Sequence, residues 1–171
     1  LMLCTAVGAQ TAPTALPQAV ITPSRIEQSL DDALPATTVI TRGDIERWQL
    51  SDFVSALGRQ AGVEFAQTGG PGGAASLFVR GANSSQVLVL VDGIRMNAAV
   101  GGAASIGGVA LDTIDRIEIT RGNLSSLYGS AAVGGVVQIF TRSRQQPGAS
   151  LSVEAGSGRT LNGAASAGFD V

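Results

Sequence analysis

Apolar and polar residues in the middle of the chain follow each other in short blocks that are typical of β-strands. Runs rich in Val and Ile predict strands at residues 77–80, 87–91, 116–120 and 136–141. A charged residue followed by glycine ends three blocks: Arg80-Gly81, Asp92-Gly93 and Arg121-Gly122. Because such steps are turn signals, the pattern predicts a series of short strands that are joined by turns.

Two of these runs differ in the polarity of their two strand faces. The run 87–91 reads VLVLV and is apolar on both faces, which predicts a central, fully buried strand. In the run 116–120, which reads RIEIT, Glu118 and Thr120 alternate with isoleucines. One face of that strand is therefore expected to meet a polar surface.

Two short helices are predicted before this series of strands. Thr41 suits a helix N-cap, and Asp44, three residues later, suits the capping-box partner, which predicts a helix over residues 44–48. A second helix is expected to begin at Ser51 or Asp52. Together with the strands, these helices predict a small mixed-sheet domain of the α+β class.

The two ends of the chain differ in composition from its middle. Residues 1–9 are typical of the tail of a secretory signal peptide, with an ordinary N-terminus as the alternative. Residues 10–34, named the arm below, are polar and interrupted by proline, and we expect them to be extended and mobile. Residues 145–171 alternate small or polar with apolar side chains, which is the weak pattern of transmembrane barrel strands. A soluble hairpin explains this last pattern equally well in isolation.

Composition excludes several classes of function. The net charge is −2 and no basic stripe occurs, so we expect no nucleic-acid partner. All 11 basic residues are Arg, and the chain has no His, which excludes a phosphate-loop lysine, a His-based triad and an imidazole zinc site. The single Cys4 excludes an intramolecular disulfide. We therefore predict no catalytic residue, no metal site and no cofactor.

Three longer stretches carry a resemblance to a known family. They read DIERWQLSDFVSALGRQAGVEF, FVRGANSSQVLVLVDGIRMN and IEITRGNLSSLYGSAAVGGVVQIFTR. In this order and spacing they resemble the plug domain of TonB-dependent outer-membrane transporters. Within that family, their amino-acid sequences most resemble the cobalamin transporter subfamily. The resemblance extends from about residue 17 to the C-terminus.

The resemblance implies a plug domain at residues 35–144, followed at 145–171 by the first antiparallel strands of a transmembrane β-barrel. Because plugged barrels have about 22 strands, we expect the chain to be a fragment that is truncated at both ends. It further implies a monomer in the outer membrane that takes up cobalamin with the help of TonB. A receptor for a ferric siderophore or another metal complex is the alternative within this class.

Alternatives from other classes are a signalling receptor and a soluble periplasmic α/β binding module or enzyme. The enzyme alternative leaves carboxylate chemistry at Asp92 or Asp115 open.

Within the arm, the resemblance assigns a TonB box, the segment that pairs with the edge of the TonB sheet by strand addition. Its residues are Gln18, Ala19, Val20, Ile21 and Thr22. Pro23 departs from the family pattern and has no N–H to donate, so pairing is expected to stop there or Pro23 to face away from the partner. A linker without function is the alternative for this segment.

The resemblance also assigns roles to charged and loop residues. Arg80, Glu118 and Arg121 are expected to pair with one another and with the barrel wall, although in a free domain they would be solvated. The Gly-rich loops at 67–76 and 98–108 are expected to face outward and to touch substrate, with unbound flexible loops as the alternative. Hydrogen-bonding candidates in and beside these loops are Gln67, Asn97 and Ser105.

Several glycines are expected where the backbone needs a positive φ angle or a close approach. They are Gly81, Gly93, Gly122, Gly129, Gly134 and Gly135.

Overall fold

The computed structural model describes residues 19–22, 24–33, 36–49, 52–68, 75–98, 104, 106, 108–142, 148–156 and 160–168. The strands are β1 (Ala19–Val20), β2 (Gln28–Ser29), β3 (Ala36–Thr41), β4 (Val63–Gln67), β5 (Ala75–Val79), β6 (Val87–Val91), β7 (Ile94–Arg95), β8 (Ile114–Arg121), β9 (Gly135–Thr141), β10 (Gly148–Gly156) and β11 (Thr160–Gly168). The helices are α1 (Arg42–Trp48), α2 (Phe53–Gly58) and α3 (Ser125–Tyr128). The predicted signal-peptide residues 1–9, together with Gln18 and Ser105, lie outside the described residues.

A five-stranded mixed sheet organises the domain, in the order β3-β8-β9-β6-β7. The pair β6 and β9 is parallel, whereas the other neighbours are antiparallel. The two-residue β7 forms one edge, so β6 lies inside the sheet, as its sequence predicts. The predicted α+β class with a small mixed sheet and short helices is confirmed.

Helix α1 begins where its sequence signal lies. The Thr41 side chain accepts a hydrogen bond from the Asp44 amide, and the Asp44 carboxylate accepts one from the Thr41 amide, which forms the predicted capping box. The Thr41 hydroxyl also donates to the Asp44 carboxylate at 2.6 Å, and this bond, together with that from the Thr41 amide, holds the pKa of Asp44 below its usual value. Helix α2 likewise begins after an Asp52 cap. Local chemistry therefore accounts for both helix starts.

The main hydrophobic core lies on one face of the sheet. Inward side chains of β6, β8 and β9 meet α1, α2 and the β4–β5 hairpin there. The buried residues from the three strands are Val87, Val89, Ile114, Ile117, Ile119, Val137 and Ile139. This face fixes the positions of the helices, while the opposite face carries the site described below.

The opposite face of the sheet is divided into an apolar and a polar half. Leu88 and Leu90 of β6 and Val136 of β9 form the apolar half with Leu124 and the region of α3. The VLVLV run therefore buries both of its faces, as predicted. The polar half lies on β8 and β9 and contains Glu118, Thr120 and Gln138, all of which are buried.

The C-terminal strands β10 and β11 form a regular antiparallel hairpin, with Gly156 opposite Thr160 at its turn end. The two predicted strands on either side of this turn are thus present. Their membership in a barrel stays a prediction. Among the described residues, no helix is both long enough and apolar enough to cross a bilayer.

Two charge–glycine steps are tight turns with a positive φ at both positions. Arg80 and Gly81 have φ values of 51° and 75°, and the Ala82 amide donates to the Val79 carbonyl. Asp92 has a φ of 48° and is followed by Gly93 at 82°. Such paired left-handed residues are typical of two-residue hairpin turns. Positive φ angles also occur at Gly122 and Gly129.

Gly134 meets a different requirement, because its φ is not positive and its surroundings are crowded. A Cβ atom at this position would overlap the Cβ of Ala82 and approach the Gln86 carbonyl oxygen at 3.4 Å. At Gly135 a Cβ would lie 2.6 Å from the Thr120 carbonyl oxygen. The Gly-Gly pair therefore allows the chain to enter β9 beside β6 and β8.

We predict that Gly134→Ala opens the β6–β9 pair, because overpacking of this kind costs about 1–3 kcal/mol. Hydrogen exchange at the Leu88, Leu90 and Asp92 amides, which face β9, measures the effect in the full-length protein. Gly108→Ala is the matched control, since a Cβ there has open space within 4 Å. Equal exchange in both variants would contradict the close-approach explanation.

Candidate functional site

The described part of the arm lies on the polar half of the sheet's second face. Its strands β1 and β2 pair with each other, so that Ala19 faces Ser29 and Val20 faces Gln28. The Val20 side chain is fully buried, and so is Thr22. The expectation of a mobile arm is therefore wrong for this segment, because apolar burial and hydrogen bonds hold it in place.

The Glu118 carboxylate is the centre of this arm-docking site, which we define as Glu118, Gln138, Tyr128 and Arg116. Its Oε2 accepts hydrogen bonds from the amides of Ile21 and Thr22, both at 2.9 Å. The same oxygen accepts a third bond from the Thr22 hydroxyl at 2.7 Å. One carboxylate oxygen thus satisfies two main-chain donors and one side-chain donor of the arm.

The second oxygen of this carboxylate is occupied from the sheet. Arg116 Nε lies 3.1 Å from Glu118 Oε1, and the Arg116 guanidinium stacks 3.9 Å from the centroid of the Phe140 ring. The side-chain oxygen of Gln138, the register partner of Glu118 on β9, lies 3.2 Å from the same Thr22 hydroxyl, whose one proton goes to the nearer Glu118 oxygen. A buried carboxylate needs such compensation, because an unpaired one costs several kcal/mol.

Tyr128, at the end of α3, holds the arm from the other side. Its hydroxyl donates to the Thr22 carbonyl oxygen at 3.0 Å. The Arg25 guanidinium carbon lies 4.7 Å from the centroid of the Tyr128 ring. Burial raises the pKa of the Tyr128 hydroxyl, and the charge of Arg25 offsets part of that rise. The hydroxyl therefore stays protonated at neutral pH and remains a donor.

These contacts correct the expectation that Glu118 meets a barrel wall. Its side chain is completely buried within this chain, beneath the arm. The strand alternation that predicts a polar face on β8 holds, but the polar partner is the arm of the same chain. Glu118 also lies apart from the two arginines with which it was expected to group, since it occupies the opposite face of β8 from Arg121.

Arg80 and Arg121 form a second site, an open cleft of about 410 Å³. The cleft is lined by Ala36, Thr38, Gln60, Ala61, Gly62, Arg80 and Arg121. Arg121 is largely buried, and it donates from Nε to the Ala61 carbonyl at 2.9 Å and from Nη1 to the Thr38 hydroxyl at 2.7 Å. Arg80 is exposed at the rim.

The electrostatics of this arginine cleft are unbalanced. Burial lowers the pKa of the Arg121 guanidinium, and the positive charge of Arg80 lowers it further. Within the described part of the chain, neither guanidinium forms an ion pair with a carboxylate. An anionic group placed in the cleft would therefore be stabilised by both cations.

Among the hydrogen-bonding candidates in and beside the Gly-rich loops, Asn97 stabilises the sheet through its side chain. Its side-chain oxygen accepts from the Val89 amide at 2.8 Å, and its side-chain nitrogen donates to the Val87 carbonyl at 2.9 Å. It thereby continues the pairing of β6 beyond the short β7. Gln67 ends β4 and is partly exposed, and its contact with substrate stays a prediction.

The described residues contain no group of three or more His, Cys, Asp or Glu side chains that suits a metal ion.

Comparison with known proteins identifies the family. Residues 29–136, which are more than half of the chain, match the family described as TonB-dependent Receptor Plug Domain. The chain belongs to this family. It is thus part of an outer-membrane receptor, and the family is one of receptors and not of enzymes. The alternative of a soluble periplasmic enzyme or binding module is set aside.

Solved receptors share the fold of this plug domain. The ferric enterobactin receptor PfeA from Pseudomonas aeruginosa aligns with 70% of this chain at 28% identity and a TM-score of 0.53, over 19% of its own length. The siderophore receptor PirA from Acinetobacter baumannii aligns with 68% of this chain at 30% identity and a TM-score of 0.53, over 18% of its own length. The ferric citrate transporter FecA aligns with 67% of this chain at 32% identity and a TM-score of 0.57, over 19% of its own length. The chain spans about a fifth of the length of these receptors.

Sequence reasoning missed the roles of Gln138 and Tyr128 in this plug domain. A signal for the first was present, because Gln138 interrupts the apolar run of β9 just as Glu118 interrupts β8. Polar side chains within buried strands require partners, so the pair indicates that something polar covers this face. Nothing in the local sequence of Tyr128 points to the arm.

We predict that Asn97→Asp loosens β6, because the new oxygen faces the Val87 carbonyl and the donor is lost. Hydrogen exchange at the Val89 amide of the full-length receptor is expected to accelerate about tenfold. Asn83→Asp is the control, since Asn83 contributes an accepting side-chain oxygen to the Ser85 amide and Asp keeps it. Unchanged exchange at Val89 with weaker substrate binding would instead support the role that the sequence predicts for Asn97.

Proposed function

We propose that this chain is the plug of an outer-membrane transporter that takes up a scarce metal complex with energy delivered by TonB. The match of residues 29–136 to the plug family, together with a β-prone segment that ends at Thr22, with residues 23–28 between the two, carries this proposal. Substrate binds at the outer loops, and the arm is then released toward the periplasm. TonB captures the arm and pulls the plug aside.

The segment Gln18–Thr22 is proposed as the TonB box. Val20, Ile21 and Thr22 are β-branched, and Ala19 and Val20 already adopt the extended conformation that strand addition requires. The two plug states and the two ligands, substrate and TonB, then define an allosteric coupling.

For the substrate we propose cobalamin, because the amino-acid sequences of the strand and turn motifs between Phe78 and Arg142 resemble the cobalamin transporter subfamily. A ferric siderophore or ferric citrate is the second candidate. It is supported by the similar structures, which include receptors for ferric enterobactin and ferric citrate. Both candidates are large metal complexes with many hydrogen-bonding groups, which suits polar loop residues such as Gln67 and Ser105.

We further propose that the Arg80–Arg121 cleft faces carboxylates of the barrel. Two neighbouring guanidinium groups without a carboxylate partner in the described part of the chain support this proposal. Glu118 has no part in it, because the arm covers its side chain.

We predict that Ile21→Pro in the full-length receptor abolishes energised uptake while substrate still binds at the cell surface. Proline removes the main-chain donor that strand addition uses. Transport of labelled substrate into cells measures the first effect, and binding at 4 °C without energy measures the second. Ile21→Val keeps the amide and is expected to transport normally. Normal uptake by the proline variant would refute the TonB-box assignment.

A titration of the purified full-length receptor distinguishes the substrates. If cobalamin is the substrate, cyanocobalamin binds saturably, whereas ferric enterobactin and ferric citrate do not compete with it. Saturable binding of a ferric complex, without binding of cyanocobalamin, would support the second candidate.

A further inference from the structure

Arg121 is a buried cation whose orientation is fixed by two acceptors from different elements. Its Nε donates to the Ala61 carbonyl at 2.9 Å, and its Nη1 donates to the Thr38 hydroxyl at 2.7 Å. Thr38 belongs to β3, whereas Ala61 follows the end of α2. Because a guanidinium is planar, two hydrogen bonds from different nitrogens restrict the direction in which its remaining donors point.

The segment after α2 also holds the second arginine of the cleft. The Arg80 amide donates to the Gly62 carbonyl at 2.8 Å. Gly62 has a φ of 71°, and a Cβ there would lie 3.6 Å from Arg80 Cγ and 4.0 Å from Arg121 Nε. Residues 61 and 62 thus bring both arginines to one side of the cleft, and Thr38 is the additional acceptor that β3 contributes.

Arg121 keeps donors that no described residue uses. Of the five N–H donors of a guanidinium, the described residues accept from one on Nε and one on Nη1, and none of them accepts from Nη2. Among the described residues that line the cleft, only Arg80 and Arg121 are charged. These like charges repel each other, so the bonds to Ala61 and Thr38 are what keeps the Arg121 guanidinium beside Arg80.

We propose that Thr38 is a positioning residue of the arginine cleft, because its hydroxyl directs the unused donors of Arg121 toward a carboxylate of the barrel. This inference rests on the proposed function, which takes the cleft to face such carboxylates. An arginine recognises a carboxylate through two parallel N–H···O bonds, and this geometry requires a guanidinium of fixed orientation. Thr38 acts through Arg121 and needs no contact with the barrel itself.

The position of Thr38 connects the cleft with the first strand after the arm. Strand β3 lies at the edge of the sheet, and its first residue, Ala36, is the register partner of Arg121. Displacement of the start of β3 would carry the Thr38 hydroxyl away from Arg121 Nη1. The cleft therefore holds a carboxylate with full strength only while the start of β3 is paired with β8.

The pH dependence of the contact between plug and barrel in the full-length receptor tests this proposal. A spin label at position 60, which lines the cleft, gains mobility when the barrel no longer covers it. A carboxylate that pairs with arginine has a lowered pKa, so the contact is fully present above the ordinary carboxyl pKa of about 4 and is lost as the pH falls through the lowered value. Thr38→Val weakens the pairing, and we expect the midpoint of this loss to rise by about 0.5–1 pH unit.

Two variants of β3 are the matched controls. Thr38→Ser keeps the hydroxyl and is expected to restore the midpoint of the unmodified receptor. Thr37→Val removes the neighbouring hydroxyl, which lies 3.2 Å from the Thr120 hydroxyl on the other face of the sheet, and is expected to leave the midpoint unchanged. Hydrogen exchange of the β3 amides is expected to stay slow in all three variants, because valine and serine leave the main-chain pairing in place.

The outcomes separate this inference from the assignment of the cleft. If Arg121→Gln raises the midpoint but Thr38→Val does not, the positioning role is overturned while the cleft still faces a barrel carboxylate. Equal loosening of Thr38→Val at every pH, or a shift that occurs only with fast exchange of β3, would also overturn it. If neither variant moves the midpoint, the assignment of the cleft fails, and the inference fails with it. A raised midpoint in Thr38→Val that serine restores supports the proposal.

Discussion

The carboxylate of Glu118 is removed from water in the middle of a sheet, and the surrounding structure compensates its charge. An uncompensated carboxylate at this depth would cost several kcal/mol. Arg116 supplies the opposite charge on one oxygen, and the arm supplies three donors on the other. The position of the arm thus follows from the solvation requirement of a residue about a hundred positions later in the chain.

Strand β8 links the two sites of the plug. Glu118 points to the arm on one face, and Arg121, near the end of the same strand, points into the arginine cleft on the other face. The apolar residues Ile117 and Ile119 fix this strand in the main core. Because both residues belong to this strand, the arm-docking site and the arginine cleft are attached to the same rigid element of the plug.

Sequence patterns predict the parts of this fold that depend on neighbours along the chain. The VLVLV strand, the Thr41–Asp44 capping box and the paired charge–glycine turns all result from local propensity and burial. The arm-docking site was not predictable in this way, because Thr22 and Glu118 are 96 residues apart. The polar residues of β8 and β9 show that a polar partner exists, but only the fold identifies it as the arm. The family itself came from a motif resemblance and not from such patterns.

In the proposed function, the arm is docked on Glu118 without substrate and leaves it when substrate binds. A distance measurement by pulsed electron paramagnetic resonance tests this most directly, with spin labels at the exposed positions 27 and 115 of the full-length receptor. For an arm that substrate releases, we expect one narrow distance distribution in the empty receptor and a broad distribution at longer distances after substrate is added. A broad distribution in the empty receptor, or a narrow one that substrate leaves unchanged, would contradict it.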